Sequence, residues 1–84
     1  MTQIHQVQNI SFKGNIFILV VDNQKLELSL QEVSQKLANA SDVLRNDYQI
    51  LPSGYGIHWP GLDEDLSIDG LMRQFTSKST INKT

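Results

Sequence analysis

One uninterrupted apolar run, Ile16–Val21, constrains the fold of this chain more than any other feature of its sequence. Every residue in it is aliphatic or aromatic, and polar segments with turn-forming residues flank it at 13–15 and 22–24. A short apolar run between turn signals is typical of a strand that is covered on both faces. The run therefore predicts the central strand of a sheet, with a reversal of the chain at each end.

Two neighbouring segments supply the partners of this strand. Residues 4–12 have an irregular alternation that is compatible with a first strand. Residues 25–30 alternate cleanly, with Leu26, Leu28 and Leu30 on one face and polar side chains on the other. With turns of only three residues between the segments, the sequence predicts a three-stranded antiparallel meander.

A helix is predicted after the meander. Ser29 and Glu32 have the spacing of a capping box, in which each side chain bonds the backbone amide of the other residue. One narrow apolar stripe at helical spacing follows, formed by Leu30, Val33, Leu37 and Ala40. Ser41 is predicted to cap a second, short helical turn through residues 43–45.

The C-terminal half predicts a hairpin and a short helix. Residues 48–51 and Gly56–Trp59 are the predicted strands, with a turn between them and a proline that ends the second strand. After an acidic loop, Ser67 is predicted to cap a helix over residues 68–75.

These elements together predict the fold class. It is an α+β domain over residues 1–75, with one small antiparallel sheet of about five strands, one main helix and a short C-terminal helix. The meander and the C-terminal hairpin form the sheet. Residues 76–84 have no apolar pattern and are predicted to be a flexible polar tail.

Length and cysteine content limit the class of protein. A chain of 84 residues is one domain that buries only about 60–65% of the surface its unfolded form exposes. A second copy that covered an apolar face would add stability, so a homodimer is one expectation. The absence of cysteine excludes disulfides and thiolate chemistry and favours a reducing cytoplasm.

Charge and hydropathy disfavour two classes of partner. The net charge is −2 and the seven basic residues are scattered, whereas nucleic-acid binding generally uses a clustered basic stripe. The longest apolar run falls far short of the ~20 residues of a membrane span, and we expect neither a signal peptide nor membrane association.

His58 is the obvious candidate for acid–base chemistry or metal binding. In a strand, Ile57 and Trp59 share one face, so His58 points to the other. Its possible partners in the sequence are His5 and the carboxylates of the following loop. A single histidine in a short strand is more often a surface or structural residue, and we predict no catalytic, cofactor or metal site.

The acidic run Asp63, Glu64 and Asp65, together with Asp69 shortly after it, has two interpretations. A calcium loop is excluded, because its sixth position holds Ile68 where glycine is required and its twelfth holds Gln74 where glutamate is required. The carboxylates either stabilise the N-terminus of the following helix or form an acidic patch that binds a partner.

Trp59 also has two interpretations. A single tryptophan at a strand end belongs either to the core or to a contact surface, where aromatic side chains contribute much of the binding energy. With His58 and the acidic run, it defines a candidate partner-binding surface of five residues: His58, Trp59, Asp63, Glu64 and Asp65.

The end of the chain resembles a known bacterial family. The resemblance rests on three segments: Gly56-Ile57-His58-Trp59-Pro60, then Leu62-Asp63-Glu64-Asp65-Leu66-Ser67 and Gly70-Leu71. They are similar to the ending of proteins grouped as domain of unknown function 2442, although Tyr48 stands where that family has tryptophan. The resemblance implies a compact α+β domain without established enzymatic activity. It also implies one half of a two-component module of the toxin–antitoxin type, because members are often encoded beside another small protein.

Two hypotheses for function follow. The first is a protein-binding module, with the acidic patch facing a basic partner. The alternative is a homodimeric regulatory or nucleic-acid-binding protein that uses the basic residues near its C-terminus, although the overall acidity counts against it. We expect that the chain is not an enzyme.

Overall fold

The first half of the chain forms an antiparallel meander. The computed structural model describes the backbone of residues 5–82 and the side chains of residues 5–77. Three strands, β1 (Val7–Lys13), β2 (Ile16–Val21) and β3 (Gln24–Ser29), form one sheet in the order β1-β2-β3. The predicted meander is confirmed. The predicted first residue of β1, Ile4, lies outside the described residues.

The turns of the meander are tighter than predicted, with two residues each. Lys13 pairs with Ile16 across the first turn, and Val21 pairs with Gln24 across the second. In the second turn Asp22 has φ 52° and its neighbour has φ 65°. Two positive φ values in succession are the signature of the turn whose twist matches that of a hairpin.

The central strand is covered on one face only. The side chains of Phe17, Leu19 and Val21 are fully buried, whereas Ile16 is 40% exposed and the residues between them are half-buried. The prediction of a strand covered on both faces is therefore wrong. The apolar outer face of β2 lies between the polar outer rows of β1 and β3.

The predicted main helix after the meander is two short helices. They are α1 (Leu30–Val33) and α2 (Gln35–Ala38), and Ser34 between them has an extended backbone with φ −164°. Ser29 makes no side-chain cap bond, so the predicted capping box is wrong. Ser34 caps α2 instead, because its hydroxyl accepts a hydrogen bond from Leu37 N at 3.2 Å.

A third short helix, α3 (Asp42–Arg45), begins where the sequence predicted it. The hydroxyl of Ser41 accepts a hydrogen bond from Leu44 N at 3.3 Å, which confirms the second cap. The guanidinium group of Arg45, a residue that is only 8% exposed, bonds the carbonyls of Leu37, Ala38 and Gly14, each at 2.9 Å. Arg45 thus joins the end of α2 to the first turn of the meander.

The second half of the chain forms a separate antiparallel sheet. Its strands are β4 (Gln49–Ile50), β5 (Gly56–Trp59) and β6 (Glu64–Ser67), in the order β4-β5-β6. The prediction of one sheet with about five strands is wrong in this respect. The acidic segment predicted as a loop contains the additional strand β6, which pairs with β5 through all four of its residues.

The principal helix is the C-terminal one, α4 (Ile68–Asn82). Its predicted cap is confirmed, since Gly70 N donates to the hydroxyl of Ser67 at 3.0 Å. The predicted end at residue 75 is wrong, because the helix continues through a mostly polar segment up to Asn82. The apolar stripe ends at Phe75, but adding residues to an existing helix needs no new nucleation.

One hydrophobic core lies among the two sheets and the helices. Its fully buried side chains come from both sheets, the segment between them and α4; the largest are Trp59, Phe17, Leu19, Leu26, Leu30, Leu37, Ile57 and Ile68. The α+β class is confirmed. No helix within the described part of the chain is long and apolar enough to cross a membrane.

Candidate functional site

Strand β5 places its side chains as the alternation predicts. Ile57 and Trp59 are buried, and His58 lies on the other face with 29% of its side chain exposed. The indole N–H of Trp59 donates to the backbone oxygen of Arg45 at 2.9 Å, and its ring meets that of Phe17 edge-on at 6.2 Å. Trp59 therefore belongs to the core, so it drops out of the candidate partner-binding surface.

His58 meets one of the predicted loop carboxylates. Register pairs it with Asp65 on β6 and with Gln49 on β4, and its Nδ1 bonds a carboxylate oxygen of Asp65. The side chain of Asp65 is 69% exposed. The geometry of the pair is that of an exposed polar row across three strands.

Asp63 and Glu64 are neighbours in sequence but have different environments. Asp63 is exposed in a turn with φ 52°, and its backbone oxygen accepts a hydrogen bond from Lys36 Nζ at 3.1 Å. Glu64 is half-buried, and its carboxylate accepts a hydrogen bond from the hydroxyl of Ser34. Glu64 is thus a structural link between β6 and the start of α2, and within the acidic run only Asp63 and Asp65 are exposed to solvent.

The interpretation of the acidic residues as carboxylates at a helix N-terminus is confirmed for Asp69 and wrong for Asp63, Glu64 and Asp65. Asp63 lies in the turn before β6, and Glu64 and Asp65 lie within β6. The acidic residue in the first turn of α4 is Asp69. The dipole of α4 therefore accounts for Asp69 alone.

The cluster that sequence reasoning missed is centred on His5. Its Nδ1 bonds Asp22 Oδ2 at 2.7 Å, and its Nε2 bonds Asp69 Oδ1 at 2.9 Å. The other oxygen of Asp22 accepts a hydrogen bond from Gln6 N at 2.8 Å. His5 was considered only as a partner for His58, and both of its ring nitrogens are occupied elsewhere. A separation of 64 residues between His5 and Asp69 leaves no local signal in the sequence.

The electrostatics of this cluster favour a cationic histidine. Hydrogen bonds to Asp22 and then to Asp69 raise the pKa of His5, and burial opposes them in part. The pKa of Asp22 is lowered, first by the Gln6 amide and then by His5. The two carboxylates therefore favour the protonated form of His5, and their bonds to its ring tie residue 5 to the second turn of the meander and to α4.

An open groove of about 670 Å³ adjoins the His5 cluster, lined by His5, Asp69, Met72, Arg73, Thr76 and Ser77. Because both imidazole nitrogens are occupied, His5 has no free acceptor to offer a metal ion or a proton there. No group of three or more histidine and acidic side chains in residues 5–77 is arranged to hold a metal ion.

Two large apolar side chains stand exposed at one end of the second sheet. Tyr55, next to β5, is 65% exposed, and Ile50 on β4 is 46% exposed. Sequence reasoning placed them in a strand and a turn without a functional role. We call the exposed residues of this sheet and its turns, Ile50, Tyr55, His58, Asp63 and Asp65, the second-sheet surface; it wraps around the sheet, since the register puts Ile50 on the face opposite His58 and Asp65.

Three comparisons with known proteins give consistent results. The family model described as "Protein of unknown function (DUF2442)" matches residues 4–77. The chain is similar to a crystal structure of a protein of unknown function from Rhodospirillum rubrum, with 29% identity and a TM-score of 0.67. That similarity covers 87% of this chain and 90% of the other chain. No curated protein matches the sequence.

Proposed function

The chain belongs to the family of unknown function DUF2442, and on that premise we propose that it is a protein-binding module whose contact area is the second-sheet surface. The observations that carry the proposal are two exposed features of this sheet: the apolar side chains of Tyr55 and Ile50 at one end, and the carboxylates of Asp65 on β6 and Asp63 in the turn at the other end. Interfaces typically combine such aromatic and aliphatic contacts with a polar rim.

The chemistry of this surface favours a basic partner. Asp63 and Asp65 are exposed acidic residues two positions apart in the chain, and His58 pairs with Asp65 on the neighbouring strand. Complementary charge speeds association and disfavours wrong partners, while the apolar contacts of Tyr55 contribute affinity. A small protein with a basic contact surface fits this description, as the other half of a two-component pair would. The cysteine-free composition supports action in the cytoplasm.

The experiment is a tagged pull-down from the native bacterium, analysed by mass spectrometry after nuclease treatment. Asp65→Lys and Tyr55→Ser should each weaken capture of a stoichiometric partner by about tenfold or more, the range of an interface residue worth over 1 kcal/mol. Asp42→Lys is the matched control, since it makes the same change of charge at an exposed position on α3.

Equal capture by Asp65→Lys, Tyr55→Ser and the wild type would overturn the proposal. Loss of capture on nuclease treatment would favour the alternative, a nucleic-acid-binding protein. Trp59 is unsuited to this test, because replacement of this fully buried side chain destabilises the whole domain, and a loss of capture would then not report on the surface.

A further inference from the structure

Strand β3 is an open edge of the first sheet. In the order β1-β2-β3 it pairs with β2 on one side only. Leu30 N bonds Asn15 O at 2.8 Å, which shows that the even-numbered residues of this segment direct their backbone groups to the β2 side. The backbone groups of Lys25 and Glu27 therefore point away from β2. Within residues 5–82 they have no hydrogen-bond partner there.

The side chains at this edge carry opposite charges. Lys25 and Glu27 lie on the outer face, with 61% and 56% of their side chains exposed, and Lys25 Nζ lies 3.3 Å from Glu27 Oε2. An exposed ion pair of this kind stabilises a monomer very little. It does make the edge self-complementary under a twofold rotation.

We propose that β3 is the edge through which two copies of this chain associate, pairing antiparallel about a twofold axis at Leu26. In that register Lys25 of each copy lies opposite Glu27 of the other. Both residues have outward-pointing backbone groups, so each such pair exchanges two N–H···O bonds. The side chain of Leu26 stays in the core of its own copy. The two meanders become one continuous six-stranded sheet.

The charges select this register. The two adjacent registers that keep the free backbone groups opposed would place Glu27 against Glu27 or Lys25 against Lys25. Like charges directly opposite each other destabilise a strand pair, whereas opposite charges stabilise it. The direction of the free backbone groups and the charges of the side chains therefore both favour the register with its axis at Leu26.

The other edge of the sheet lacks this property. The outer face of β1 presents Asn9, Ser11 and Lys13, which include no carboxylate, and the pairing of β1 with β2 is irregular between Val7 and Asn9. A β1–β1 pair would have no complementary charges. An edge with a regular ladder and a self-complementary ion pair is the better site for a second copy.

The test is a charge exchange, read by sedimentation equilibrium over a range of protein concentration. The wild type should form dimers, and Lys25→Glu or Glu27→Lys should each weaken dimerisation by about tenfold, because each places like charges opposite one another twice. An equimolar mixture of the two variants should form heterodimers, since the exchanged charges are complementary again. The double variant Lys25→Glu/Glu27→Lys should regain self-association.

Lys13→Glu is the control, because it changes charge on the outer face of β1 and should leave dimerisation unchanged. A wild type that is monomeric at every concentration would overturn the proposal, as would single variants that dimerise as the wild type does. Dissociation by Lys13→Glu alone would assign the interface to β1. Circular dichroism checks that each variant is folded. The pull-down experiment tests the second-sheet surface separately, so failure of one proposal can be told from failure of the other.

Discussion

The two sheets are both three-stranded and antiparallel, but different interactions hold them in place. The first has strands of six or seven residues, joined by two-residue turns, so segments that are adjacent in sequence specify its pairing. The second has strands of two to four residues. Strands so short are unstable alone and take their positions from distant contacts.

Three such contacts can be named. Trp59 bonds Arg45 O, Glu64 bonds the hydroxyl of Ser34, and Gly54 packs against the backbone of His5. Each joins the second sheet or its turn to a segment outside it. The pairing of the meander is thus specified by neighbouring segments, whereas the second sheet also depends on contacts with distant parts of the chain.

The largest effect is expected for Trp59→Ala. Trp59 is fully buried, and removal of a buried tryptophan or phenylalanine costs about 3–5 kcal/mol, partly through the cavity left behind. The free energy of unfolding, measured with urea, gives this loss. Tyr55→Ala is the matched control on an exposed aromatic beside β5, with an expected change within about 0.5 kcal/mol. Equal losses in the two variants would contradict the burial of Trp59.

The next effect compares two glycines that both have φ near 60°. A Cβ at Gly54 would lie 1.9 Å from His5 O, whereas a Cβ at Gly14 would meet nothing within 4 Å. Gly54→Ala should therefore cost about 3 kcal/mol or more, and Gly14→Ala only the strain of a left-handed residue, about 1–2 kcal/mol. Thermal unfolding of the two variants measures the difference. Equal costs would show that both turns depend on local conformation alone.

A smaller effect is expected for Ser34→Ala. The substitution removes the cap of α2 and the hydrogen bond to the half-buried carboxylate of Glu64, for about 1–2 kcal/mol in sum. Ser41→Ala removes only the cap of α3 and should cost about 1 kcal/mol or less. Urea unfolding of both variants separates the cap from the contact with β6. If Ser34→Ala loses no more stability than Ser41→Ala, the hydrogen bond to Glu64 adds no stability.

The smallest effect is the pH dependence of the His5 cluster. Because the folded pKa of His5 is raised, its contribution to stability is fully present below about pH 6.5 and is lost as the pH rises through the folded value. Because the pKa of Asp22 is lowered, its contribution to the stability of the fold is fully present above about pH 4. That contribution is therefore constant near neutral pH.

Urea unfolding of the wild type and of His5→Gln at about pH 6 and about pH 8.5 tests this sign. The wild type should lose more stability than the variant as the pH rises. An equal change in both proteins would mean that His5 is not held by its two carboxylates.

Several parts of the fold follow from local sequence. The limits of β2, the caps at Ser41 and Ser67 and the outward direction of His58 were all predicted, because each depends on residues a few positions apart. The capping box at Ser29 was wrong, since Ser29 precedes α1 without a side-chain cap bond. The cap that forms is at Ser34, whose second partner, Glu64, is 30 residues away and leaves no local signal.

The candidate site was less predictable than the strands. Asp63 and Asp65 are exposed as an acidic patch requires, but Trp59 is in the core and Glu64 serves as a structural link. Alternation assigns a side chain to one of two faces, and it does not say which face the rest of the chain covers. For that reason Tyr55 and Ile50 were missed as exposed apolar side chains.

The sequence by itself determined the α+β class, the antiparallel meander and the family of the protein, since these depend on periodicity, turn residues and a local motif. Only the tertiary structure decided that two sheets form instead of one, that β6 exists and that His5 joins Asp22 to Asp69. The physical reason is that short strands and buried polar contacts gain their stability from groups far away in the chain. Those groups come together only when the core forms.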